Sequence, residues 1–74
     1  MKTMQYMVVV EKGANSFGAY VPDLPGCIAT AESRDEVLNL IREAIEFHIE
    51  GLREDGQPIP APSSFSAIVD VKAA

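Results

Sequence analysis

Ser33-Arg34-Asp35-Glu36-Val37-Leu38-Asn39-Leu40-Ile41-Arg42-Glu43-Ala44-Ile45-Glu46-Phe47-His48-Ile49-Glu50-Gly51-Leu52-Arg53-Glu54-Asp55-Gly56 carries the strongest local signal in the chain. Its first four residues match a capping box, in which the Ser33 hydroxyl and the Glu36 carboxylate each satisfy a backbone N–H at the start of a helix. The pattern predicts a helix over about 34–55, with Gly56 as the stop and Pro58 preventing resumption. At ~100° per residue, Val37, Leu40, Ile41, Ala44, Ile45, Phe47, His48, Ile49 and Leu52 fall on one arc of roughly 200°. Packing on a single sheet requires a stripe of only about 100°. The surplus predicts a second surface against this helix, another subunit, with Leu40, Ala44, Phe47, His48 and Gly51 as self-association candidates. Ala44 and Gly51 are small enough for close approach; simple packing on the sheet is their plainer role.

Upstream, Met4–Glu11 is rich in β-branched and aromatic residues, and Lys12-Gly13-Ala14-Asn15-Ser16 closes it with turn formers. Phe17-Gly18-Ala19-Tyr20-Val21 follows at once, so the two runs predict an antiparallel hairpin with strands at about 4–11 and 16–21. Apolar residues occupy odd and even positions in both, which predicts cover on both faces. Pro22-Asp23-Leu24-Pro25-Gly26 cannot continue a central strand, because proline lacks a ladder donor and Gly26 permits positive φ. Cys27–Ala31 resumes as a third strand. Beyond the helix, residues 56–64 form a proline-spaced connector. It leads to Phe65–Val71, where Phe65, Ala67, Val69 and Val71 alternate with mostly polar neighbours, a last strand at about 65–71. The order β-β-β-α-β predicts one α+β domain over 1–74, a long helix packed on a small, mainly antiparallel sheet.

Composition narrows the functional classes. The chain has 74 residues and is 47% hydrophobic, which fits one small folded domain and not a disordered tail. Eleven acids against six bases give a net charge of −5, so phosphate is repelled and direct nucleic-acid binding is not expected. A basic partner protein suits this charge better. The single cysteine, Cys27, excludes an internal disulfide and a multi-cysteine zinc site. No apolar run approaches the length of a membrane span. A cytoplasmic protein without metal or cofactor is the expectation.

Two motifs now stand on either side of the helix: Tyr20-Val21-Pro22-Asp23-Leu24-Pro25-Gly26-Cys27 before it, and Gly56-Gln57-Pro58-Ile59-Pro60-Ala61-Pro62-Ser63 after it. Together with Glu43-Ala44-Ile45 inside the helix, this pair resembles the HicB-like antitoxin family over about Tyr6 to Val71. The resemblance implies a partial RNase H-like fold without nuclease activity. It implies as partner a HicA-like toxin, a small basic protein of double-stranded-RNA-binding fold that cleaves mRNA with a histidine and is silenced when HicB covers that site. Full-length HicB antitoxins usually carry a DNA-binding segment after this domain and repress their own operon with it; no such segment lies within these 74 residues. The reading is therefore a non-enzymatic antitoxin domain, forming a homodimer or homotetramer, that occludes a toxin. A solitary HicB-like oligomer with another regulatory role is the alternative. A degenerate RNase H-like nuclease is the more distant one, since metal-dependent cleavage needs converging carboxylates, and Tyr6-Met7-Val8-Val9 stands where that pattern expects an aspartate.

Individual residues carry two readings each. Asp23 either meets a partner or accepts local amide bonds in its turn, with Pro22, Pro25 and Gly26 shaping the bend. Glu43, Glu46, Glu50 and Glu54 form an outer stripe, either a solvated face or a complement to a basic toxin; the partner-binding candidates are thus Asp23, Glu43, Glu46 and Glu50. Cys27 reads as a small buried hydrophobe, lacking the neighbouring base that a nucleophile requires. His48 reads as a core or interface residue, since no second ligand type clusters with it. Ser33, Glu36 and Gly56 read as helix caps.

Overall fold

In the computed structural model, which describes residues 3–73, the chain runs through β1 (Val9–Lys12), β2 (Phe17–Tyr20), β3 (Ile28–Ala31) and α1 (Arg34–Glu54). The fold is α+β: a three-stranded antiparallel sheet in the order β1-β2-β3, with the helix packed across β3 and β2. Both helix ends are closed by local chemistry. The Glu36 backbone N–H donates to Ser33 Oγ at 3.1 Å, while Asp35 and Glu36 place negative charge in the first turn. At the other end Gly56 takes φ +68°, its N–H reaches the Arg53 carbonyl and the Gln57 N–H reaches the Leu52 carbonyl. This paired capping needs the left-handed conformation that glycine adopts without strain.

Strand register sets which residues meet the helix. Val10, Ala19 and Ala29 are cross-strand partners on the inner face, as are Phe17 and Ala31. Alanine at three of these places lets α1 approach the sheet closely. The opposite face carries the row Val9, Tyr20 and Ile28, with Ile28 68% exposed.

The core consists of Ala19, Val21, Leu24, Cys27, Val37 and Ile41. Three of these six come from the loop between β2 and β3. That loop is two successive turns: the Leu24 N–H donates to the Val21 carbonyl at 3.1 Å, and the Cys27 N–H to the Leu24 carbonyl at 3.1 Å. Each turn carries proline in its second position, and Gly26 takes φ +85° in the third position of the second turn. Turns of this spacing aim Val21, Leu24 and Cys27 to the same side. Leu24, Val37 and Ile41 are 0–1% exposed, and each such side chain contributes about 1.5–3 kcal/mol by leaving water.

The strands depart from the sequence reading at both ends of the chain. Pairing of the first strand begins at Val9 rather than near Met4, because its neighbour β2 ends at Tyr20 and the chain enters a turn at Val21–Leu24 directly after it. The segment 65–71, read as a last strand, is not paired within the single chain. Phe65, Ile68, Val69 and Val71 are 74–98% exposed. Alternation determines which side chains share a face, but it supplies no hydrogen-bonding partner. The radius of gyration, 14.5 Å, exceeds the roughly 11 Å of a compact chain of this length, as an unfolded-back segment requires.

Candidate functional site

The polar residues singled out above fall into two separate places. At the first, Asp23 leaves the 21–27 loop and meets the connector. Its Oδ2 accepts the backbone N–H groups of Ser63 and Ser64, both at 2.9 Å. Its Oδ1 accepts their hydroxyls at 3.0 and 2.8 Å. These four bonds use the acceptor capacity of a carboxylate. The Ser64 and Ser63 amides, followed by their hydroxyls, hold the Asp23 carboxyl down at about 2. The turn itself is closed by backbone bonds, so Asp23 acts as the acceptor for Ser63 and Ser64 across the connector rather than as a local turn acceptor.

Beside this clasp, the Tyr6 hydroxyl donates to the Pro60 carbonyl. Burial, and secondarily the Asp23 charge, raise the Tyr6 phenol above its usual range. Ser63, Ser64 and Tyr6 were not legible as a set. No local spacing links residues some 40 and 54 positions apart, although the strict Pro-x-Pro-x-Pro-Ser-Ser run does mark a segment held in one course.

The second place is the outer surface of α1. Val37 and Ile41 are buried, and Ala44, Ile45, His48, Ile49, Gly51 and Leu52 are half-buried. Phe47 is 80% exposed and Leu40 42%, so one flank of the apolar arc lies clear of the sheet. Glu43, Glu46, Glu50 and Glu54 are exposed along the adjoining side. Glu50, Gly51 and Glu54 line a shallow hollow with Phe47, and nothing lies within 4 Å of where a Gly51 Cβ would sit. Glu46, Glu50 and Glu54 also line an open depression with Ile49 and Arg53. The helix therefore presents an apolar centre with an acidic border, and Asp23 is not part of it.

Cys27 is buried, and desolvation pushes its thiol up, away from the reactive thiolate. Among the described residues, no three His, Cys, Asp or Glu side chains gather as a metal site would require. No described helix is long and apolar enough to cross a membrane.

This arrangement can be set beside known proteins. Residues 6–73 match the family described as HicB_like antitoxin of bacterial toxin-antitoxin system. The chain belongs to the HicB-like antitoxin family. A chain of the solved HicA3 and HicB3 toxin-antitoxin complex is similar at TM-score 0.65 and 29% identity, over 80% of this chain and 72% of that one. An uncharacterized 14.9 kDa protein of Haemophilus phage HP1 is 39% identical over 57 residues, which span 77% of this chain and 43% of the phage protein. A UPF0150 protein of Helicobacter pylori is 43% identical over 64% of this chain and 65% of its own length. A third relative, the UPF0150 protein of Archaeoglobus fulgidus, is 39% identical over 73% of this chain and 83% of its own. The chain thus spans less than half of the phage protein and about two thirds of the Helicobacter one. Its membership of the HicB-like family rests on nearly the whole domain, clasp and helix included.

Proposed function

We propose that this domain is the antitoxin partner of a small basic HicA-type toxin and silences it by covering its RNA-cleaving surface, without catalysing a reaction itself. The carrying observation is the outer flank of α1: Phe47, 80% exposed, bordered by Glu43, Glu46, Glu50 and Glu54. An exposed aromatic anchor inside a charged rim is the anatomy of a protein-binding surface. Like-charge neighbours three and four apart cost an isolated helix a few tenths of a kcal/mol each. A basic partner would offset that cost and gain a faster encounter from the acidic field. The chain's net charge of −5 acts in the same direction. Family membership and the likeness to a chain of a toxin-antitoxin complex support the reading.

The test is co-expression with any small basic protein encoded next to this one, followed by co-purification and an RNA-cleavage assay. A stable complex with cleavage suppressed is the expected result. Glu46→Lys with Glu50→Lys should slow association at low salt and lose that deficit at high salt, where charges are screened. A complex whose association rate ignores both substitutions and salt overturns the role of the helix face.

A further inference from the structure

Two stretches with the composition of strands are left unpaired by the single chain. One is Met4–Val8, which leads into β1 and carries no charge and no proline. The other is 65–71, whose large apolar side chains are 74–98% exposed. Uncharged edges without proline lack the usual protection against pairing with another chain. The Asp23 clasp at Ser63 and Ser64 fixes where 65–71 departs, immediately before Phe65.

We propose that 65–71 is an exchanged strand: in a dimer of this chain, each copy lays it along the free edge of β1 in the other, extended back through Met4–Val8. The pairing would complete both stretches at once. It would set the alternating Phe65, Ala67, Val69 and Val71 beside Tyr6, Val8 and Val10, which already pack against the core.

Area favours a reciprocal exchange over one-way docking. An unfolded segment of seven such residues exposes roughly 1,000 Å². Covering half of it, with an equal loss from the edge beneath, buries about 1,000 Å² per strand. That falls short of the roughly 1,200–2,000 Å² of a stable interface, whereas two exchanged strands reach it. Charge favours a second copy over a basic partner. Asp70 and Lys72 cancel within the tail, so it has no acidic field to offer, in contrast to α1. The exchange leaves the Phe47 flank free and does not depend on the existence of a toxin.

The experiment is sedimentation of the purified chain at 1–100 μM, with amide hydrogen exchange on the same samples. The expected result is a dimer in which the amides of both 4–8 and 65–71 are protected. Val69→Pro removes one ladder donor from a segment outside the core, and should yield a monomer with both stretches exchanging freely. Circular dichroism should show the helix of that variant unchanged. A monomeric wild-type chain throughout the range, or a folded Val69→Pro chain that stays dimeric, overturns the proposal. So does 65–71 protected only after a basic partner is added.

Discussion

Asp23 Oδ2 accepts the Ser64 backbone N–H at 2.9 Å across 41 positions of sequence. One carboxylate thereby ties the loop between β2 and β3 to the segment that follows the helix. Asp23→Ala should free that segment: hydrogen exchange at Ser63 and Ser64 should rise at least tenfold while α1 keeps its protection. Unchanged exchange at these two amides would show that the clasp is absent in solution.

The same carboxylate sets an acid limit. Its folded-state value, about 2, lies below the ordinary 3.8. The clasp therefore contributes fully above about pH 4 and is lost as pH falls through about 2. A carbon-13 titration of Asp23 should give a midpoint near 2. A midpoint near 3.8 would mean that the four bonds are not formed.

Leu24 is fully buried although it sits between two prolines in a loop. Leu24→Ala should cost about 2–5 kcal/mol by urea unfolding. A domain of this size has only roughly 4–11 kcal/mol in total, so the variant should be partly unfolded at 37 °C. A loss below 1 kcal/mol would show that the loop does not plug the core.

Two glycines with open space around them should respond in opposite directions to alanine. Gly26 stands at φ +85°, a conformation that costs an L-residue about 1–2 kcal/mol. Gly51 lies within the helix, where alanine gains roughly 0.5–1 kcal/mol. Urea midpoints of the two variants should therefore fall on either side of the wild type.

Phe47 separates binding from folding. Its side chain is 80% exposed, so Phe47→Ala should shift stability by no more than about 0.5 kcal/mol. Removing an anchor from the proposed toxin interface should cost about 2 kcal/mol, or roughly 30-fold in affinity. Calorimetry against the toxin, with thermal unfolding of the free domain, measures both.

The helix was legible because its signals are local. A cap at Ser33, a 3.6-residue period and Gly56 all lie within one stretch. Of the five residues that the surplus apolar arc singled out, Phe47 and Leu40 are exposed, while Ala44, His48 and Gly51 are half-buried. The β2–β3 loop was legible as turns, but not as half of the core. Nothing local says that a leucine between two prolines points inward. The segment 65–71 has the alternation of a strand, but alternation names no hydrogen-bonding partner, and the single chain supplies none. The Asp23 bonds to Ser63 and Ser64 join two motifs each visible alone, and only the three-dimensional course of the connector unites them.

The double turn at Val21–Cys27 inverts the usual tolerance of loops. Surface connections ordinarily accept inserted residues at little cost. Here one extra residue between Val21 and Cys27 would break the three-residue phase that aims Val21, Leu24 and Cys27 inward. Half of the six core positions would be disturbed by a single codon, while Gly13–Ser16, exposed throughout, would take the same insertion with little consequence. A tag or label on this domain belongs in the β1–β2 hairpin, and length variation between 21 and 27 would signal a differently built core.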